Sequence, residues 1–285
     1  MRLPRFIWYL FARLLVSFSE IGIPFFLWSC KHVALIRKYA RSYRALELMY
    51  TYTSKKTPNP ILFPDPNENS SMAHQGIKET FFTNFWERNV DNAREVRSRL
   101  AITKKELHQA ISIQRQIGHN IHILSVGSGS ARAVIEVLAE NHKNGVKATL
   151  LDISRSALRY SEELAKNFRE SLETCRVNIF QFLPETERKF QIVEMVGLAE
   201  YIEEEALILL LENIWDVLAP GGILIFSHIA PNKEMDFISV IVGWIMIYRT
   251  KEEIKRIVAN TPFKKIERCI STPLGIHHLY VLRKT

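Results

Sequence analysis

From about residue 120 to its carboxyl end the chain alternates short apolar runs with amphipathic stretches. IHILSV (121–126) stops at a Gly-Ser-Gly-Ser turn, and a helical pattern begins at Ala131. KATLLD (147–152) is followed by a helix with Ser154 as its N-cap. RVNIFQF (176–182) and FQIVEMV (190–196) predict two further strands. A helix over about 204–218 ends at Pro220-Gly221-Gly222, and ILIFSHI (223–229) predicts a fifth strand. Strands alternating with helices at these lengths imply a parallel sheet covered on both faces. After a helix near 251–259 the order changes. KIERCIS (265–271) and HHLYVLR (277–283) are separated by only five residues, too few for a parallel crossover. The last two strands should form an antiparallel hairpin at the sheet edge.

The first third reads differently. Between Phe6 and Ile36 only Arg13, Glu20, Lys31 and His32 interrupt a run rich in Phe, Trp, Leu and Ile. Arg2, Arg13, Glu20 and Lys31 recur at near-helical intervals, so a helix here is apolar around most of its circumference, with one charged stripe and a break near Pro24. The segment is also basic. Residues 1–60 hold ten Lys and Arg against two acids, which is the whole of the chain's net charge of +8. A nucleic-acid-binding body would carry that excess itself, so no nucleic-acid partner is expected. A signal peptide is disfavoured by Arg13 within the apolar run, and a span by the cost of burying Arg13 and Glu20. The favoured reading is a helical, membrane-associating segment over 1–56, lying in the interface. It would bury Trp8, Tyr9, Phe25, Phe26 and Trp28 and set Lys31, Arg37, Lys38, Arg41 and Arg44 on an anionic surface at the cytoplasmic face. A helix packed into the protein core is the competing reading. Residues 57–76, with four prolines, read as a linker, and 77–285 as the main domain with its own leading helices. Three cysteines, Cys30, Cys175 and Cys269, without a C-x-x-C pair exclude a disulfide scaffold and a Cys-rich zinc site, and point to a reducing compartment.

The glycine loop narrows the chemistry. Gly127-Ser128-Gly129-Ser130-Ala131-Arg132 leaves two positions without a Cβ, where backbone can approach a ligand. A dinucleotide fingerprint needs a small residue where Arg132 stands, which disfavours a pyridine-nucleotide oxidoreductase. Asp152 ends the next strand, where a carboxylate can take the two ribose hydroxyls of a nucleoside.

With that loop, the strand-terminal acid, the Pro-Gly-Gly turn and the terminal hairpin, residues 120–285 resemble the class I S-adenosylmethionine-dependent methyltransferases. The resemblance implies a Rossmann-like α/β fold: a seven-stranded, mostly parallel sheet with an antiparallel C-terminal hairpin, here preceded by an N-terminal helical extension. It implies S-adenosylmethionine as cofactor. Ser125 stands where the family's first motif usually has an acid, and Ala131 replaces its last glycine. ILSVGSGSAR, VGLAEYI (196–202), GWIMIYRT (243–250) and the AREVRSRL helix (93–100) are further similar to a bacterial subgroup that makes methyl esters of 3-hydroxy fatty acids.

On this basis Gly127, Ser128, Gly129, Ser130, Asp152, Ile153, Gln181 and Gly197 are the candidate cofactor-binding residues. Gln181, flanked by Phe180 and Phe182, would meet the adenine edge at the end of the third strand. Glu194, Glu200, Tyr201 and His228 follow the fourth and fifth strands, on the acceptor side. Tyr201 and Arg249 are the catalytic candidates, one donating to an acceptor oxygen and one holding an acceptor carboxylate; packing and a salt bridge to Glu252 or Glu253 are the alternatives. Arg94 and Arg97 could close over the methionine carboxylate. His277 and His278 have no third ligand nearby, so no metal is assigned. Methyl transfer to a small or lipid-like acceptor, at a carboxylate or hydroxyl oxygen, is the expected function, and a catalytically silent membrane-anchored scaffold the alternative.

Overall fold

A computed structural model describes residues 2–29, 31–50, 81–118 and 120–285. The proline-rich linker expected over 57–76 lies outside the described residues. The chain divides into two compact units: residues 1–98 with 231–246, and residues 99–230 with 247–285.

The larger unit holds seven strands: β1 His122–Val126, β2 Lys147–Asp152, β3 Leu172–Arg176, β4 Phe190–Met195, β5 Leu218–Ile229, β6 Arg268–Ser271 and β7 His277–Arg283. Their order is β3-β2-β1-β4-β5-β7-β6. The first five are parallel, and β7 runs antiparallel to both β5 and β6. The predicted hairpin therefore enters with β7 inside and β6 at the edge. Alternating side chains build two apolar layers. Leu124, Val193 and Phe226 face one way, packed with Leu211 and Ile257 of the helices Glu204–Val217 and Lys251–Ala259. Ile123, Ile192 and Ile225 face the other, with Leu107 and Val134 of the helices Asp91–Gln116 and Arg132–Asn141. Burial on both faces is why these strands are near-continuous apolar runs in the sequence.

Two expectations change here. The third strand is LETCR at 172–176, not RVNIFQF at 176–182. As an edge strand it buries little, so its polar alternation hid it. The residues taken for it form the helix Ile179–Glu185, because the Asn178 side chain accepts from the Phe180 N–H and caps its first turn. Pro220-Gly221-Gly222 is a bulge inside β5: pairing jumps from Phe190–Leu218 to Ile192–Ile223, with Gly221 at φ +72°. Ser154 does cap the helix Arg155–Leu164, accepting from the Ala157 N–H.

The smaller unit contains α1 Arg5–Ser17, α2 Ser19–Ser29, α3 Lys31–Lys38, α4 Tyr43–Tyr50 and α5 Phe81–Asn89, together with the first residues of α6 Asp91–Gln116. The apolar stretch breaks at Phe18, not at Pro24: α1 and α2 meet at 116°. The Phe18 N–H closes α1 on Leu14, while its carbonyl accepts from Ile21 and Gly22. Gly22 permits the bend, since a Cβ there would lie 2.4 Å from the Leu15 oxygen. Pro24 is accommodated inside α2. Among the described residues no single helix is long and apolar enough to cross a membrane.

Part of the aromatic content is protein core. Trp8 is buried edge-on to Trp86 and Phe237, and Phe26 packs on Trp86 at 4.8 Å. Glu234, also buried, accepts from the Trp8 indole, from the Asp91 and Asn92 N–H groups and from the Asn92 amide. It thereby satisfies orphan donors at the start of α6. These contacts draw 231–246 into this unit, so the sequence-based boundary at residue 77 does not separate the two. Arg44 is buried against the Tyr39 and Tyr43 rings, and Arg37 donates to the carbonyls of Val240 and Ile241. Lys31, Lys38 and Arg41 are the members of the basic cluster that stay exposed.

Candidate active site

The glycine loop follows β1 and is held to β2 through backbone. Gly127, Gly129 and Ala131 have φ of +61°, +52° and +46°. A Cβ on Gly127 would lie 2.7 Å from Leu198 Cδ2, a side-chain end that would have to shift, so it is the left-handed backbone that calls for glycine here. The Ser128 N–H donates to Leu151 O at 2.9 Å. The Gly129 N–H donates to Asp152 Oδ2 at 2.7 Å, and the Ser154 N–H to Oδ1 at 2.8 Å. Asp152 thus closes the loop onto the end of β2, and each oxygen keeps a lone pair for a further donor. Burial pushes its pKa up, against the pull of these backbone donors. Ser128 Oγ is buried without a partner among the described residues, Ser130 is buried, and Ile153 is 70% exposed. Gly127, Ser128, Gly129, Ser130, Asp152 and Ile153 therefore lie at one junction of β1 and β2. Gln181 sits exposed on the helix Ile179–Glu185, not at a strand end.

A second group gathers where β1, β4 and β5 end. Ser125 and Glu194 are register partners, and the Ser125 hydroxyl donates to Glu194 Oε2 at 2.6 Å. Burial of Glu194 raises its carboxyl to about 7, opposed by Ser125 and by the charge of Arg99. Gly197, at φ +88°, donates its N–H to Ser227 Oγ at 3.0 Å. Arg99 was not among the sequence candidates. It is buried, pairs with Glu200 Oε1 at 3.1 Å, and brings Nη2 within 3.4 Å of where a Gly197 Cβ would stand. Glu200 Oε2 is buried with no partner among the described residues, and burial raises this carboxyl too.

Arg249, expected to hold an acceptor carboxylate, is buried, and its Nη1 and Nη2 donate to the carbonyls of Ala199 and Ile202. It braces the single turn Ala199–Tyr201 that carries Tyr201, which is half-buried. Arg94 and Arg97 pair with Asp91 and Glu87 in the smaller unit. His228 is buried with neither ring nitrogen partnered among the described residues, and burial, then Arg249, holds its pKa down to about 3. His277 is buried likewise, with its pKa lowered by burial and by Arg99, while His278 Nδ1 lies 2.9 Å from Ser271 Oγ. The signal that could have found Arg99 is its place on the helix face that also carries Thr103 and Leu107, both buried.

Ala131 tests the loop energetically. Left-handed backbone costs a non-glycine residue about 1–2 kcal/mol, which exceeds the roughly 0.4–1 kcal/mol of unfolded-state entropy that glycine adds. Ala131→Gly is therefore expected to stabilise the protein, raising the melting temperature by about 1–2 °C for a chain of this size. A lower melting temperature in calorimetry would show that the loop is not strained at this residue.

The sequence matches a family model described as "Putative methyltransferase" over residues 85–284. No curated protein matches it. Among solved structures it is similar to a possible exported protein from Bordetella parapertussis, at 14% identity and TM-score 0.61, over 89% of this chain and 95% of that one. It is also similar to the magnesium protoporphyrin IX methyltransferase of Synechocystis PCC 6803 with bound SAH, at 12% identity and TM-score 0.54, over 74% and 90% of the two chains. The mitomycin 7-O-methyltransferase shares 13% identity and a TM-score of 0.52, over 69% and 58%. These likenesses agree with the seven-stranded sheet and its reversed C-terminal strands, the class I methyltransferase fold. With the family model covering most of its length, the chain belongs to this methyltransferase family.

Proposed function

We propose that this protein transfers a methyl group from S-adenosylmethionine to an oxygen of a small or lipid-like acceptor at the cytoplasmic face of a membrane. The observation that carries the reading is the junction at which Asp152 fastens Gly129 and Ser154. Its carboxylate is oriented by backbone at the carboxyl end of β2, where an open α/β sheet binds ligands, and it has acceptor capacity left for ribose hydroxyls. Gly127 and Gly129 let the backbone approach, the Ser128 hydroxyl is available for a polar group, and Ile153 offers an exposed apolar face beside the same strand end. When bound, the cofactor supplies a sulfonium methyl group, whose transfer is an in-line displacement.

Positioning the acceptor then supplies much of the rate. A carboxylate acceptor is ionised at neutral pH and needs no base, which favours a fatty-acid carboxylate, the 3-hydroxy type included. A hydroxyl acceptor is the second reading. It would need a general base, and His228, with its pKa held down to about 3 by burial, is a weak one, so the carboxylate is preferred.

The membrane location rests on the outer faces of α1 and α2. Phe6, Leu10 and Leu14 recur every four residues and are exposed, as are Phe18, Ile21 and Trp28. An exposed apolar face of this extent marks an interaction surface. Arg2, Arg5, Arg13, Lys31, Lys38 and Arg41 are exposed in the same unit and suit anionic headgroups.

Isothermal calorimetry with S-adenosylhomocysteine tests the cofactor. Binding is expected, and Asp152→Ala should weaken it by about tenfold or more, the scale of lost hydrogen bonds to a charged group. Wild-type protein that takes up no S-adenosylhomocysteine would overturn the reading. For the location, the protein is expected to pellet with vesicles containing phosphatidylserine and to be released by salt. Phe6→Ser with Leu10→Ser, and separately Lys31→Glu with Lys38→Glu and Arg41→Glu, should each reduce pelleting. Equal pelleting of all three proteins would refute membrane docking through this face.

A further inference from the structure

Three acids, Asp152 half-buried and Glu194 and Glu200 buried, stand at the carboxyl end of the sheet, and their partners differ in kind. Asp152 is held by backbone N–H groups of the glycine loop. Glu200 has the Arg99 guanidinium at 3.1 Å. Glu194 has the neutral Ser125 hydroxyl at 2.6 Å and the Val196 N–H; Arg99 acts on it only through its field, with its ion pair committed to Glu200. A carboxylate withdrawn from water without a paired cation is costly, and burial accordingly raises its pKa to about 7. A ligand cation placed against Glu194 would remove that cost.

The strand order says which part of a nucleoside-linked amino acid would arrive there. Asp152 ends β2, β1 lies beside β2, and β4 lies on the far side of β1. A ribose at Asp152 whose 5′ substituent crossed the end of β1, over the glycine loop, would carry that substituent toward β4. Two strand spacings separate these positions, about 10 Å, within the reach of an extended homocysteine chain. The Glu194 side chain is on the same sheet face as Ser125, its register partner.

We propose that Glu194, braced by Ser125, receives the α-ammonium group of the cofactor's amino-acid end. The assignment rests on the S-adenosylmethionine reading. Glu194 contributes charge from β4, and the small hydroxyl on β1 fixes its carboxylate and leaves room that a second acid at residue 125 would fill with like charge. Ser125 is thus a positioning residue for Glu194.

Calorimetry with three ligands separates the possibilities: S-adenosylhomocysteine, its analogue lacking the α-amino group, and 5′-methylthioadenosine, which lacks the amino-acid end. Wild-type protein should bind the deaminated analogue at least tenfold more weakly than S-adenosylhomocysteine. Glu194→Gln should weaken S-adenosylhomocysteine by a similar factor, leave 5′-methylthioadenosine within about twofold, and abolish the discrimination between the first two ligands. Should Glu194→Gln not fold, the wild-type comparison still decides: equal affinity for S-adenosylhomocysteine and the deaminated analogue would overturn the proposal. So would a variant that weakens all three ligands alike, or one that still discriminates tenfold. Absence of binding of every ligand to the wild type would overturn the cofactor reading itself, and this assignment with it.

Discussion

Carboxylates kept out of water at the carboxyl end of a parallel sheet are the constraint around which the larger unit is organised. Asp152, Glu194 and Glu200 are each pushed toward the protonated form by burial. Each is stabilised by a different device: loop backbone, a hydroxyl from the next strand, and an arginine from α6. Those devices in turn fix the glycine loop against β2, the β1–β4 register at its ligand end, and α6 against the turn after β4. A structural ion pair would need only one such arrangement. Asp152 on β2, Glu194 on β4 and Glu200 just after it, with no cation paired to Glu194, support the proposed site for a ligand with polar groups along its length.

The smaller unit follows the same logic with other materials. Glu234 is surrounded by four donors, one an indole from α1 and three from the first turn of α6. Around it Trp8 and Phe26 pack edge-on to Trp86 and Phe237, which stack on each other, both geometries favoured by aromatic quadrupoles. One side of α1 is thus spent on protein core while the other, with Phe6, Leu10 and Leu14, remains exposed. Core packing therefore accounts for Trp8 and Phe26, and the exposed apolar residues of the same helices are the ones on which the proposed membrane location rests.

How legible this was depended on where each residue's partners lie along the chain. β1, β2, β4 and β7 were legible because strands buried on both faces write continuous apolar runs. β3 was not, because an edge strand carries Glu173, Thr174 and Arg176 without penalty, and the Ile-Phe-Gln-Phe run beyond it mimicked a strand. The glycine loop and Asp152 could be identified because their spacing is local. Arg99 was missed although its helix face also carries Thr103 and Leu107, because its partner Glu200 lies about a hundred residues away. The division of the chain escaped for the same reason: Phe237 and Glu234 join Trp8 through contacts spanning over two hundred residues. Arg249 was expected to hold an acceptor carboxylate, but its guanidinium is taken up by the backbone carbonyls of Ala199 and Ile202, which leave no trace in the sequence.

The account stands or falls on turnover. The most direct measurement is incubation of the full-length protein with methyl-labelled S-adenosylmethionine and a bacterial lipid extract, following label in the extract and S-adenosylhomocysteine in the aqueous phase. The account predicts that both accumulate in equal amounts over many turnovers, and that the label is released as methanol by mild base if the acceptor is a carboxylate. Cofactor that binds but never yields S-adenosylhomocysteine, with no label in any extract fraction, would contradict it.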